Sequence, residues 1–276
     1  MPELITIDDP RDDRIDSYRS IRERDLVGRQ GLFVAEGVVV LQKLVDTVAH
    51  APVSLLIADK RVESLRPLWS RLPDSVPVYV ATPSVIDAIA GFPVHRGVLA
   101  MCRRSHVPTP EELLGGIAAG RDANGIALLL CGIANHDNMG GIFRNAAAFG
   151  VGAILLDSDC CDPLYRKAIR VSVGAALIVP FARLQRDDDA LGLLARHGFT
   201  AVALSPSGAA RVSDWRPEAR NAIVLGAEGP GLSPALMAQM TTLRIDMAHG
   251  FDSLNVATTS GIVLHHLAAA QTAAAA

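Results

Sequence analysis

The chain has 276 residues, half of them hydrophobic and 20% charged, with a formal net charge of −3. That is a globular composition, long enough for about two domains and a sizeable core, and its bulk charge gives no pointer to nucleic acid. Of the 26 basic residues, 23 are arginines and only Lys43, Lys60 and Lys167 are lysines; arginine is the better planar partner for phosphate, but GC-rich coding produces the same bias. Cys102, Cys131, Cys160 and Cys161 form no CxxC pair and the eight histidines have no metal-ligand spacing, so neither a metal nor a redox motif is expected. The N-terminus, MPELITIDDPRDDR, lacks a signal-peptide core. No apolar run approaches the ~18 residues of a membrane span. The expectation is a soluble, reduced, cytoplasmic protein with no membrane partner.

Along the chain, residues 8–25 are dense in mixed charge, the usual sign of a solvated face, with Ile15, Tyr18, Ile21 and Arg22 marking one side of a helix. Strand-like runs follow at Val53–Ala58, Pro77–Ala81 and Gly97–Cys102, and helix-like stretches at Glu36–Val48, Val62–Arg71 and Ser84–Ala90. Their alternation predicts an α/β module. The two prolines of His106-Val-Pro-Thr-Pro-Glu-Glu suggest a linker over 105–124, dividing a domain of residues 1–104 from one of 125–276. The second region opens with the continuous apolar run Ile126–Cys131, the pattern of a sheet covered on both faces. Further strands are expected at Ala153–Asp157, Leu177–Val179, Thr200–Leu204, Ala222–Gly226 and Leu243–Met247, and a last helix from about Ser253 to Ala270, with the tail QTAAAA fraying.

Three clusters in this second region follow predicted strands, and in open parallel sheets ligands bind at the carboxyl ends of strands. The first is Asn135-His136-Asp137-Asn138-Met139-Gly140-Gly141-Ile142-Phe143-Arg144-Asn145-Ala146. Asn138 reads as the helix N-cap, the glycines as sites of close approach, and Arg144 as an early-helix cation that the dipole disfavours unless an anion such as RNA phosphate meets it. The second is Leu225-Gly226-Ala227-Glu228-Gly229-Pro230-Gly231-Leu232-Ser233, a backbone-exposing loop that matches neither the dinucleotide nor the P-loop spacing. The third is Ile245-Asp246-Met247-Ala248-His249-Gly250-Phe251-Asp252-Ser253-Leu254-Asn255-Val256-Ala257. There Asp252 or Ser253 reads as an N-cap, and Asn255 as a partly buried amide in need of partners. Each cluster alone also fits a bland role: a cap, a surface arginine, a turn.

In this order the clusters resemble the three motifs of the SpoU (TrmH) family of RNA 2′-O-ribose methyltransferases. The shared residues are Asn138, Gly140, Arg144 and Ala146; then Leu225, Gly226, Glu228, Gly229, Gly231, Leu232 and Ser233; then Ile245, Met247, Ser253, Leu254, Asn255, Val256 and Ala257. Arg170-Val-Ser-Val-Gly-Ala175 resembles the family's connecting segment, and Phe33-Val-Ala-Glu-Gly37 with His95-Arg-Gly-Val-Leu-Ala100 resemble its N-terminal substrate-binding module. The chain departs from the family where Asn135-His136 stands in place of an Asp-Pro pair, which leaves His136 open as a substrate contact.

The resemblance implies an α/β fold whose C-terminal parallel-sheet domain is threaded into a trefoil knot, a rare exception among folds, beside a small N-terminal α/β RNA-binding domain. It implies a homodimer that methylates ribosomal or transfer RNA, with S-adenosylmethionine as cofactor at Leu204, Leu225, Gly226, Glu228, Gly229, Ile245, Met247 and Leu254. It implies catalytic roles for Arg144, Asn138, Glu228, Ser253 and Asn255. An arginine's very high pKa argues against its serving as a base, so Arg144 is expected to clamp phosphate and stabilise charge developing on the 2′-oxygen. Two other classes are weighed. A non-catalytic RNA-binding or ribosome-assembly protein of the same fold remains open, and a nicotinamide oxidoreductase is suggested only by Gly150-Val-Gly152, which completes no dinucleotide fingerprint.

Overall fold

The computed structural model describes residues 1–19, 31–47, 50–91, 94, 97–104, 107–119, 125–248, 251 and 253–275. Ile21, Arg22, His95, Arg96, His106, His249, Gly250 and Asp252, named above, lie outside them. The strands are β1 (Leu4–Thr6), β2 (Leu32–Glu36), β3 (His50–Ala58), β4 (Val78–Ala81), β5 (Val98–Arg104), β6 (Ile126–Cys131), β7 (Ala153–Leu156), β8 (Phe181–Arg183), β9 (Thr200–Leu204), β10 (Ala210–Arg211), β11 (Asn221–Gly226) and β12 (Thr241–Arg244). The α-helices are α1 (Val38–Asp46), α2 (Val62–Trp69), α3 (Pro83–Ala90), α4 (Pro110–Ala118), α5 (His136–Ala148), α6 (Arg166–Val171), α7 (Ala190–Arg196), α8 (Pro234–Met237) and α9 (Val256–Ala275). These elements form two units, one of Met1–His106 with Pro163–Ile178 and one of Val107–Asp162 with Val179–Ala276.

In the first unit the sheet order is β1-β4-β3-β5-β2, with β3 antiparallel to β5 and parallel to β4. The register of β3 slips between Pro52 and Ser54, where proline has no N–H to give the ladder. The expected charged helix face at the N-terminus is a short 3₁₀ helix, Asp13–Tyr18, and it buries Ile15 and Tyr18. The Tyr18 hydroxyl stands 2.8 Å from Ser54 Oγ and accepts from Met101 N–H at 3.3 Å, so this buried phenol is satisfied. Segment Pro163–Ile178 groups with this unit and not with residues 125–276 as expected. Its Arg166 donates at 2.9 Å to Glu36, a carboxylate only 3% exposed. A buried carboxylate needs such a partner, and sequence spacing could not reveal one 130 residues away.

The second unit is built on a sheet in the order β10-β12-β9-β11-β6-β7-β8, with every pairing parallel. From β6 the chain first builds outward through β7 and β8, then crosses to add β9, β11, β12 and β10 on the other side. Ile126–Leu130 and Ala222–Leu225 are buried throughout, as strands covered on both faces must be. The expected linker is corrected here. Thr109 and Glu112 form a reciprocal capping box, Pro110 takes the first helical position, and Leu113, Leu114 and Ile117 of α4 enter the core. A proline tolerated at the first turn starts a helix as readily as it interrupts one. The strand expected at Leu177–Val179 is corrected as well: Ala175–Leu177 is a 3₁₀ turn and the strand is Phe181–Arg183, paired with β7. The strand expected at Leu243–Met247 is Thr241–Arg244: its ladder with β9 runs out at Leu243 opposite Leu204 and its ladder with β10 at Arg244 opposite Arg211. The alanine-rich tail stays helical through Ala275, as alanine's propensity favours.

The last helix returns to pack on α5. A Cβ placed on Gly141 would come within 2.7 Å of the Ala257 Cβ, so glycine lets the two helices touch. Asn145 bridges them, its Nδ2 donating to Ala257 O at 2.7 Å and to the buried Ser260 Oγ at 2.9 Å. On an open helix surface Gly141→Ala would gain about 1 kcal/mol of propensity; here overpacking of about 1–3 kcal/mol opposes it. The variant is expected to be destabilised in urea unfolding, and Ala257→Gly in the same chain is expected to reverse the sign.

Candidate functional site

The three motif loops leave the carboxyl ends of β6, β11 and β12, on neighbouring or nearby strands of one sheet. After β6, Gly132 turns the chain with φ 68°, its N–H held by Asp157 Oδ2 at 2.8 Å. Helix α5 then starts at His136, capped by Asn135, whose side chain accepts from Asp137 N–H at 2.8 Å. Asn138 is therefore not the cap expected from the sequence. It lies in the first turn and is buried, at 5% exposure. Arg144 falls in the third turn and is exposed, so the dipole argument for an anion at that position lapses, since the dipole acts only on the terminal turn.

After β11 the loop Gly226–Gly231 doubles back through a bridge between Ala227 and Gly231. Gly226 has no room for a side chain: a Cβ would stand 2.6 Å from Gly231 C and from Leu232 N. Gly229 and Gly231 take φ of 86° and 66°, conformations that favour glycine. Ser233 caps α8, accepting from Leu236 N–H at 3.2 Å.

The third loop ends at Asn255, which takes the capping role expected of Asp252 or Ser253. Its Oδ1 accepts from Ala257 N–H at 2.9 Å and Thr258 N–H at 3.2 Å, satisfying orphan donors of α9. Its Nδ2 donates to Asn138 Oδ1 at 2.8 Å and to Glu228 Oε1 at 3.1 Å. The amide is exposed, not partly buried as expected, yet both ends are used. One side chain thus joins all three motifs.

The second and third of these loops, together with the end of β9, line a cleft of about 480 Å³. All eight positions expected at the cofactor line it: Leu204, Leu225, Gly226, Glu228, Gly229, Ile245, Met247 and Leu254. Of the expected catalytic residues, Glu228, Ser253 and Asn255 line it too; Asn138 reaches it through Asn255, and Arg144 is not part of the lining. Sequence reasoning missed Ser205, Pro206 and Thr259 in the same wall; Ala227, Gly231 and Val256, which also line it, were named in the motifs without a site role. Ser205 and Pro206 directly follow β9, so the strand-end rule alone could have found them. Nearby, burial, aided by the Asp157 carboxylate, pushes the Cys131 thiol up to about 12. It is protonated near neutral pH and is no nucleophile.

The model of the SpoU rRNA Methylase family matches residues 125–265. An uncharacterized tRNA/rRNA methyltransferase of Mycobacterium tuberculosis (strain ATCC 25618 / H37Rv) is 38% identical over 269 residues, spanning 93% of this chain and 89% of that protein. The 23S rRNA (guanosine-2′-O-)-methyltransferase RlmB of Acinetobacter baylyi is 29% identical over 210 residues, spanning 75% of this chain and 83% of the relative. Among solved structures, an AdoMet-bound rRNA methyltransferase from Sinorhizobium meliloti superposes with a TM-score of 0.77 at 20% identity, over 96% of this chain and 97% of its own. That likeness is one of fold. Together with the three motifs joined through Asn255, the family match and the 38% identical relative show that the chain belongs to the SpoU rRNA methylase family.

Proposed function

We propose that the chain transfers a methyl group from S-adenosylmethionine to a ribose 2′-hydroxyl of ribosomal or transfer RNA. One observation carries this reading: segments after β9, β11 and β12, far apart in sequence, line a single cleft, where the Asn255 amide bonds Glu228 of the second motif and Asn138 of the first. The cleft suits the cofactor, because Leu204, Leu225, Ile245, Met247 and Leu254 offer apolar contact to a flat purine while the glycine loop exposes backbone donors and acceptors. S-adenosylmethionine supplies the methyl group. The protein must align the 2′-oxygen with it, keep the ribose oriented, and accommodate the charge that develops as the hydroxyl loses its proton. Glu228, Ser253 and Asn255 stand at the cleft for orientation, and Asn138, buried and bonded to Asn255, fixes the latter's amide. Arg144 clamps an RNA phosphate and stabilises the oxyanion; as a guanidinium it is not the base.

Arg144 is exposed and lies outside the cleft lining of its own chain. A C2 homodimer gives it a place, the arginine of one protomer serving the cleft of the other. The trefoil knot belongs to the same reading, supported by the strand order and by the return of α9 onto α5. The first unit is read as the RNA-binding module. No helix among the described residues is long and apolar enough to cross a membrane, and we place the enzyme in the cytoplasm with its RNA. The glycines that suggested nicotinamide, Gly150 and Gly152, belong to the turn between α5 and β7, where Gly150 takes φ 69°. Turnover in a methylation assay separates this reading from a non-catalytic role of the same fold.

S-adenosylmethionine is expected to bind in calorimetry and to raise the melting temperature by several degrees at a hundredfold excess over Kd, about 2.7 kcal/mol of stabilisation. Nicotinamide cofactors are expected to do neither; absence of binding at millimolar S-adenosylmethionine would refute the cofactor assignment. Arg144→Ala should lower the single-turnover methylation rate roughly 10²–10³-fold, the scale of a lost oxyanion donor, with cofactor affinity within about twofold. Arg144→Lys should recover only part of the rate. Asn255→Ala should lower both turnover and stability, the latter by about 1–2 kcal/mol as for a lost cap. Near-normal turnover of Arg144→Ala would remove this arginine from the mechanism. Light scattering should return twice the chain mass of 29.2 kDa. Mixed dimers of Arg144→Ala and Asn255→Ala chains should regain activity that neither homodimer has; a monomer, or no regain, would count against a shared site.

A further inference from the structure

Two separate stretches form one part of the cleft wall: Leu204-Ser205-Pro206 at the end of β9, and Ile245 with Met247 after β12. The contacts that hold them in register lie outside the cleft. Residues Ser205–Gly208 form a turn closed by Gly208 N–H to Ser205 O at 3.0 Å. Ser205 N–H donates to Leu243 O at 2.9 Å, and Ala209 N–H to Thr242 Oγ1 at 3.0 Å. Gly208 presses on β12 so closely that a Cβ would stand 2.3 Å from Leu243 C and 2.6 Å from Arg244 N.

Arg244 completes this arrangement. Its Nη1 donates to Gly208 O and Ala209 O, each at 2.9 Å, and its Nε donates to Asp246 Oδ1 at 3.3 Å. The other Asp246 oxygen lies 3.2 Å from Arg211 Nε on β10. Asp246 sits between Ile245 and Met247, both of which line the cleft, but is not itself in the lining. The Asp246 carboxylate and the Arg211 guanidinium are half exposed, at 53% and 54% for the two side chains, so this ion pair contributes little by Coulomb attraction. Arg244 is less exposed, at 31%, and its forked donors reach two carbonyls and a carboxylate in a fixed geometry that an ammonium cannot copy.

We propose that Arg244 is a positioning residue for the cofactor cleft. It ties the turn after β9 to the segment after β12, with Asp246 orienting the guanidinium and Arg211 holding Asp246. The proposal rests on the cofactor reading above. Without the tie, a ligand must order the wall as it binds, so affinity falls while the bound complex reacts as before.

The test uses the full chain with Arg244→Gln, Arg244→Lys and Asp246→Asn, titrated with S-adenosylmethionine by calorimetry and assayed for methylation of total cellular RNA. Arg244→Gln should raise the cofactor Kd and KM together by about tenfold, the scale of lost hydrogen bonds from a charged donor, and Arg244→Lys by nearly as much. Asp246→Asn should raise them only about two- to threefold, since the carbonyl bonds remain. In all three, kcat at saturating cofactor should stay within about twofold. A general structural weakening would instead lower kcat and melting temperature together. Hydrogen exchange on ligand-free protein should show faster exchange at Ser205, Gly208 and Ala209 in the Arg244 variants, a readout that needs no cofactor. Unchanged Kd in the folded variants, or unchanged exchange at that turn, overturns the proposal; should Arg244→Gln fail to fold, Arg244→Lys and Asp246→Asn decide it. If the unaltered chain binds no S-adenosylmethionine yet exchange at the turn accelerates, the tie stands and the cofactor reading fails.

Discussion

The amide of Asn255 is the contact on which the functional region depends. A helix start has orphan N–H groups that need an acceptor, and Asn255 Oδ1 takes two of them. With the oxygen so committed, the amide can point its nitrogen only one way, toward Asn138 and Glu228. A local capping requirement thereby becomes a tertiary one: the residue that begins α9 also fastens the loops after β6 and β11. Serine or aspartate would cap the helix equally well, but neither offers the two donors that complete the tie.

Backbone proximity is the second constraint. Gly141 lets α5 and α9 touch, Gly226 lets its loop fold back on Leu232, and Gly208 lets the turn after β9 lie on β12. In each case what would collide with a side chain is part of a neighbouring element that must be close. All three sites lie in the unit that carries the cleft, and packed interiors do not absorb an added methyl group without displacement. The rigidity obtained in this way suits a reaction that depends on alignment more than on a strongly perturbed side chain.

In the proposed mechanism the wall and the exposed arginine divide the chemistry. Groups that line the cleft are mostly apolar or backbone, fit for holding a cofactor. Arg144 is solvent-exposed on α5, away from that lining. A guanidinium in water retains its full charge and fork for phosphate, whereas burial beside the cofactor would have required a compensating carboxylate.

Much of this was legible in the residues. The run Ile126–Cys131 and the segment Thr200–Leu204 are the strands that periodicity predicts, because continuous apolar stretches of that length have few other homes. The resemblance carried by the three motifs named eight residues that line one cleft, seven of them in the second and third motifs. Local rules failed where a neighbour decided the outcome. Helix α5 starts at His136 because Asn135 finds Asp137 N–H, and β12 ends where its pairing with β10 ends. Residues 107–119 became part of a core and not a linker once Leu113, Leu114 and Ile117 had a sheet to cover. What the sequence by itself determined was the α/β class, the buried central strands and the chemistry offered at the strand ends, all of which follow from residue type and spacing. Only the tertiary structure decided that Asn255 joins Asn138 and Glu228, that Glu36 meets Arg166, and that Arg244 grips the turn after β9. Each of those partnerships satisfies a polar group with a residue remote in the chain, and no spacing rule carries that information.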